Sequence, residues 1–267
     1  MLLSIDVGVK TLSMCILDYV DKKDLSTYSI HLWDVYNTLE TEEICNSIQK
    51  NKKICGKKCT MKYNIEDNVL YSCKLHFPKH YDKKMGKHKH SSKLLKDYKD
   101  QELSVIFINK ITEIYNTNIE IFEKVSDIVI ERQLAKSPRM NFISHILFGK
   151  LLDLYIINPS DNIREKSLEN ININYFNASH KLFAYTHHGG LPIECHLKGK
   201  YPARKWTSIQ YGLWFLENKF PIDQKEKWMG IATSGKRDDK HDTLNQALSH
   251  LIDKKYKQYK KKLVRLK

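Results

Sequence analysis

The sequence predicts an α/β protein: one mixed five-stranded sheet flanked by helices. Three observations lead there. Three apolar runs joined by tight turns fill the first 36 residues. Two more short β-branched runs, at 127–131 and 171–176, lie between segments of helical period. The chain then closes on helical patterns at 204–217 and 240–254, with no internal repeat.

The elements follow in order. Residues 2–7, Leu2-Leu3-Ser4-Ile5-Asp6-Val7, form a short apolar strand ended by Gly8. Residues 12–19 form a second, and 26–35 a third, with Tyr28, Ile30, Leu32 and Val35 as inward positions. Consecutive strands with such short turns make an antiparallel meander. Leu103, Phe107, Ile111 and Ile114 then recur at helical spacing. Ile128-Val129-Ile130-Glu131 is a strand, and 141–157 a strongly apolar helix. The last 15 residues hold seven lysines and Arg265 against one acid, which makes a helix extension or a basic arm.

Composition divides the chain. Residues 45–90 are rich in lysine and histidine, carry four of the six cysteines and have few apolar runs. They read as an inserted module with a lysine-rich connector, the main domain being 1–44 plus 91–267. Overall, 45 Lys+Arg stand against 31 Asp+Glu, for +14 over 267 residues. Only six of the 45 are arginine. Lysines act as point charges, suited to a sequence-blind polyanion such as a nucleic-acid backbone. They equally suit a solubility surface. No run of about 18 apolar residues occurs, so no membrane span is expected. Asp6 falls where a secretory leader needs its apolar stretch, so an intracellular setting with reduced cysteines is expected.

Four acids sit where a purely structural sequence would place neutral residues. Asp6 interrupts an apolar strand, and Glu131 ends another. Asp239 and Asp242, three apart at a helix start, share a face. Singly, each has an ordinary explanation as a turn cap, an ion pair or a helix N-cap. Together they supply oxygen ligands for Mg²⁺. Two such ions about 3.5–4 Å apart clamp the attacking and leaving oxygens of a phosphoryl displacement.

The segments Ser4-Ile5-Asp6-Val7-Gly8-Val9-Lys10, Ile130-Glu131-Arg132-Gln133 and Lys236-Arg237-Asp238-Asp239-Lys240-His241-Asp242, in this order, resemble the retroviral-integrase/RNase H superfamily. Within it they resemble the RuvC-type Holliday junction resolvases, in the branch of poxviruses, other large DNA viruses and fungal mitochondria. The resemblance runs from residue 4 to about 250, apart from the insert. It implies an RNase H-like sheet and a homodimer that resolves four-way DNA junctions by paired symmetric nicks, leaving 5′-phosphates. It implies two Mg²⁺ per site, replaceable by Mn²⁺, on Asp6, Glu131, Asp239 and Asp242, with Lys236 as the catalytic basic residue ahead of the final acids, to offset phosphate charge or orient the attacking water. Asp238 is a fifth acid and not a primary ligand. The resemblance implies viral or organellar DNA replication as the setting. Lys10, Arg204, Lys205 and Arg237 are candidate DNA contacts. Near them, Tyr201 and Trp206 beside cations suit unpaired bases, but the reading preferred is a loop followed by a helix with Trp206 and Trp214 in the core.

In the insert, Cys55-x3-Cys59 and Cys73-x2-His76 have the spacing of a tetrahedral zinc site. Cys45, His80, His88 and His90 are alternative ligands. Two short runs between the pairs, 63–65 and 69–71, fit a hairpin.

Rival readings stay open at this point. One is another nuclease of this fold, acting on branched DNA or RNA–DNA hybrids. Ile5-Asp6-Val7-Gly8 also resembles the first phosphate motif of actin-like ATPases, but a second Asp-x-Gly loop and a Gly-rich adenosine site are lacking. A non-catalytic zinc DNA-binding module is opposed by the four acids, which would repel DNA.

Overall fold

The structure, a computed structural model, describes residues 1–39, 45, 47–48, 53–57, 59, 61–65, 68–80, 98–133, 137–165, 170–235 and 237–265. For 62, 64–65, 68–69, 71, 237 and 253–265 it describes the backbone only. The chain forms two units, Met1–Thr38 with Gln101–Lys267, and Leu39–Asp100. The inserted unit is thus wider at both ends than the 45–90 expected.

In the first unit, β1 (Leu2–Val7), β2 (Thr11–Tyr19) and β3 (Tyr28–Asn37) form the meander. In the inserted unit, β4 (Met61–Ile65) and β5 (Asn68–Ser72) pair as the expected hairpin. Helices α1 (Asp100–Thr117) and α2 (Ile119–Phe122) lead to β6 (Asp127–Arg132). Then come α3 (Pro138–Leu152), continued by one π-helical turn at Asp153–Ile157, and α4 (Asp161–Arg164). The last strand is β7 (Asn172–Asn177), followed by α5 (Phe183–His187), α6 (Lys200–Asn218), α7 (Ile222–Ala232) and α8 (Arg237–Arg265). The sheet order is β3-β2-β1-β6-β7, with β6 parallel to both β1 and β7. This is the five-stranded mixed sheet, flanked by helices, that the sequence predicts.

Two features of this sheet position the site. Ile5 pairs with Ile130 in the parallel β1–β6 ladder, so the next residues, Asp6 and Glu131, lie side by side at the carboxyl ends of adjacent strands. In open α/β sheets that is the end at which ligands bind. Directly after Asp6 the chain turns at Gly8, whose N–H donates to Thr11 O at 2.8 Å. A Cβ at Gly8 would stand 2.7 Å from that same carbonyl oxygen, so only glycine fits.

Helix α8 is buried on nearly every side from Lys240 to Ile252. Leu244, Ala247, Leu248 and Leu251 enter the main core with Trp33, Phe215 and Trp228. Its polar residues are equally buried, and each grips a neighbour. Gln246 Nε2 donates to Ile5 O (3.1 Å) and Val129 O (3.3 Å), on the two strands that carry Asp6 and Glu131. Ser249 Oγ donates to Lys181 O at 2.8 Å and accepts from Ala184 N–H at 3.0 Å. Where α6 crosses α8, the Cβ of any larger residue at Gly212 would lie 2.0 Å from His241 Nδ1. His241 is fully buried and bonded to Ala232 O at 3.0 Å, so it has no room to retreat. Gly212→Ala is therefore expected to destabilise the fold by about 1–3 kcal/mol despite its better helix propensity. Urea denaturation checks this; unchanged or raised stability would show that the crossing is loose.

Helix α7 was not expected from the sequence. It covers the edge strand β3: Gln224 Oε1 accepts from Ile30 N–H at 2.8 Å, and Trp228 Nε1 donates to Ile30 O at 3.1 Å. The stretch Pro138–Ile157 is long and apolar enough to cross a bilayer by length and composition alone. Here Ile143, Leu147 and Leu151 are fully buried, and the helix lies on β1, β6 and β7.

Candidate active site

Asp6, Glu131, Asp239 and Asp242 line one cleft of about 650 Å³. Three segments distant in sequence deliver them: the end of β1, the end of β6 and the first turns of α8. The expected convergence of the four acids is what the structure contains.

A residue that the sequence reading did not single out stands at their centre. Lys181 follows β7, after the 3₁₀ turn Ala178–His180, and its side chain is 4% exposed. Its Nζ lies 2.8 Å from Glu131 Oε2, 3.0 Å from Asp242 Oδ2 and 3.6 Å from Asp6 Oδ2. Burial works against the lysine's charge, but Asp6, Asp242 and Glu131 outweigh it and hold its pKa well above the ordinary lysine value. Asp6 responds the other way. Burial, reinforced by the Glu131 carboxylate and only partly offset by Lys181, pushes its pKa up to about 8.

Polar neighbours fix the remaining acids. Ser208 Oγ donates to Asp242 Oδ1, and Ser208 is itself held by Asn245 Nδ2, 2.8 Å from its carbonyl and 3.0 Å from its hydroxyl. Thr11 Oγ1 donates to Asp239 Oδ2 at 3.3 Å. Asp238, the fifth acid, is ion-paired with Lys205. Burial raises the Asp238 pKa, but the Lys205 hydrogen bond and charge bring it below the ordinary value. Gln133, part of the motif after β6, donates from Nε2 to Val7 O at 3.3 Å, beside Asp6.

The candidate DNA contacts divide. Arg204 and Lys205 line the cleft. Arg204 Nη2 donates to Ala178 O at 2.6 Å, and the Lys205 ammonium lies 5.0 Å from the ring centre of Tyr201, which is 70% exposed. Lys10 is exposed in the β1–β2 turn and is not a lining residue. Lys236 lies outside the described residues, as does the side chain of Arg237. Trp206 and Trp214 are half-buried, with Trp214 packed 4.9 Å from the Tyr185 ring.

Four oxygen-donor carboxylates, partly open to water, fit hard divalent cations. The buried ammonium of Lys181 already demonstrates that the cluster attracts positive charge. Metal ligation here would use Asp6, Glu131, Asp239 and Asp242.

The inserted unit holds a second group that could bind a metal: Cys45, Cys55, Cys73 and His76, with all four ligand atoms within 4.8 Å of one another. The expected set was Cys55, Cys59, Cys73 and His76. Cys45 takes the place of Cys59, which is fully buried in the same cysteine cluster but outside the set of four. His88 and His90, two of the alternative ligands, lie outside the described residues; His80 is described and is not in the group.

No protein-family model matches the chain. An uncharacterized protein of Acanthamoeba polyphaga mimivirus is 25% identical over 254 residues, 89% of this chain. The match covers 58% of that relative's own length. Among solved structures, the chain is similar to a fowlpox virus resolvase in complex with its substrate Holliday junction DNA, at 14% identity and TM-score 0.42. That alignment covers 94% of this chain and 97% of the resolvase. It is also similar to Thermus thermophilus RuvC in complex with a Holliday junction substrate, at 8% identity and TM-score 0.39 over 93% and 91% of the two chains.

Proposed function

We propose that this chain is a structure-specific DNA endonuclease that resolves four-way junctions by paired symmetric nicks. The observation that carries the reading is the convergence of four carboxylates in one cleft of a strongly basic protein. A cluster that repels DNA is retained at the carboxyl ends of the central strands, where its chemical use is to hold divalent metal against a phosphate.

Asp6, Glu131, Asp239 and Asp242 would hold Mg²⁺, two ions per site with Mn²⁺ as a substitute, which would supply Lewis acidity. The protein's own groups do the rest. Asp6, flanked by Glu131 on the neighbouring strand and by Asp242 across Lys181, would be the central carboxylate of the ligand set. Ser208 and Thr11 orient Asp242 and Asp239, so the ligand set is fixed before substrate arrives. Lys181 screens the mutual repulsion of three carboxylates and is placed to meet the charge that develops on the phosphate oxygens. Arg204 and Lys205, on the cleft wall, bind the DNA backbone. The attacking water gives a 5′-phosphate and leaves a 3′-hydroxyl.

A four-way junction is two-fold symmetric, and paired nicks call for two sites related by the same symmetry, hence a homodimer. The half-buried Phe142 and Ile146 of α3, adjacent to its sheet-facing Ile143 and Leu147, offer an apolar surface for self-contact. The biological setting is recombination or the resolution of replicated viral or organellar DNA.

The test offers the purified protein a synthetic four-way junction, a flap, a nicked duplex and an RNA–DNA hybrid, each with Mg²⁺. The expected result is symmetric nicking of the junction in opposite strands, with ligatable ends. Preferential cutting of the hybrid or the flap would overturn the junction assignment while leaving a nuclease. No cutting of any substrate would overturn the nuclease reading itself.

A further inference from the structure

Among the described residues of the inserted unit the buried side chains are Cys45, Cys59, Met61, Ser72, Cys73 and Phe77, while Ile48, Ile54, Leu70 and Leu75 are exposed. Half of these buried side chains are cysteines, and a small unit commonly relies on a covalent or metal staple.

Its backbone is arranged around the thiols. Ile48 and Ile54 form an antiparallel bridge. Cys55 N–H donates to Ser47 O at 2.9 Å, Cys45 N–H to Lys57 O at 2.8 Å, and Gly56 N–H to Cys45 O at 3.1 Å. These bonds bring Cys45 to the side of Cys55, and Gly56, opposite Cys45, has a φ of 64°, a conformation that favours glycine. Beyond β5, His76 N–H donates to Cys73 O at 3.0 Å, which sets those two side chains on one turn.

The distances between the ligand atoms are more telling than their grouping. Cys55 Sγ and Cys73 Sγ are 3.8 Å apart. His76 Nδ1 is 3.4 Å from Cys45 Sγ and 3.5 Å from Cys73 Sγ. A tetrahedral Zn²⁺, with Zn–S about 2.3 Å and Zn–N about 2.05 Å, requires sulfur–sulfur edges of about 3.8 Å and sulfur–nitrogen edges of about 3.6 Å. All three edges agree within about 0.2 Å. A disulfide would instead hold its sulfurs at about 2.05 Å.

The geometry points to one Zn²⁺ bound by Cys45, Cys55, Cys73 and His76 through Nδ1, a closed structural centre from which Cys59 is excluded. Binding releases three thiol protons to solvent, and the resulting three thiolates and one imidazole leave no open position for a substrate. Cys59 packs against the centre as a small apolar side chain. The site joins the Ile48–Ile54 bridge segment to the end of β5 at a single point.

X-ray absorption on the intact, full-length protein tests the ligand set without any substitution. The expected result is about one zinc per chain, with three sulfurs at about 2.3 Å and one nitrogen at about 2.05 Å. Four sulfurs, or zinc below about 0.3 per chain after purification without chelator, would overturn the proposal. Variants supply the second readout. Cys45→Ser is expected to lose zinc to a chelator at least about tenfold faster than wild type, and Cys59→Ser at an unchanged rate. The reverse pattern would overturn the assignment. None of these readouts involves a carboxylate of the cleft, so they do not depend on nuclease activity.

Discussion

Asp6→Asn is expected to abolish junction cleavage while leaving junction binding intact. The substitution keeps the shape of the side chain and removes the carboxyl group that would ionise on binding metal, at the position flanked by Glu131 and the Lys181–Asp242 pair. A loss of about 10³-fold or more, equivalent to about 4 kcal/mol of barrier, is expected. Binding rests on lysines and arginines outside the carboxylate set, so the dissociation constant measured in Ca²⁺ should stay within about threefold. A third readout follows from burial. Folded Asp6 holds its proton up to about pH 8, whereas the unfolded chain releases it near the ordinary value of 3.8. Between those limits the unfolded state binds fewer protons than the folded one, so Asp6 makes the metal-free protein lose stability as pH rises. The Asn variant lacks that dependence, and its stability in chelator should be flatter between pH 4 and 8. Cleavage within tenfold of wild type would remove Asp6 from the metal site.

Lys181→Met should have the largest effect on stability. Met retains much of the packing volume but leaves Asp6, Glu131 and Asp242 facing one another with no cation between them. Removing one partner of a buried ion cluster costs about 3–5 kcal/mol, a fall in melting temperature of roughly 10 °C for a protein of this size. Millimolar Mg²⁺ or Mn²⁺ supplies the missing positive charge and should restore most of the loss, because a ligand that binds only the folded state stabilises it. Melting curves in chelator and in Mg²⁺ separate this from an ordinary packing defect, which the ion would not repair. An identical melting temperature for variant and wild type in chelator would show that Lys181 does not hold the cluster.

The four acids were legible because each breaks a local pattern: a charge inside an apolar strand, a charge at the end of another, and two charges one helical turn apart. Lys181 breaks none. It is one lysine in a chain that carries 45 Lys+Arg, and only the fold brings its ammonium to the carboxylates. Helix α7 escaped notice for a related reason. Ile222–Ala232 has weak apolar contrast, and it is held by specific hydrogen bonds from Gln224 and Trp228 to strand β3. In the insert, the close Cys55-x3-Cys59 spacing drew the assignment toward Cys59. Cys45 is ten positions before Cys55, and only the Ile48–Ile54 hairpin carries it back. The sequence 242–250, Asp-Thr-Leu-Asn-Gln-Ala-Leu-Ser-His, shows by itself only a helical pattern. Its polar side chains are in fact the fasteners of the site.

Gln246 reaches carbonyls 241 and 117 positions earlier in the chain, and Asp242 meets Lys181 from 61 positions away. The strands that bear Asp6 and Glu131 are therefore fastened to α8 by contacts that span a large share of the polypeptide. Contacts of such long range form late. During synthesis, the strand bearing Asp6 emerges first and remains inert until the segment around residue 246 has left the ribosome and docked. The order of translation thus sets the order of assembly: a nascent or truncated chain carries the acid of β1 without the cleft that gathers it with Glu131, Asp239 and Asp242.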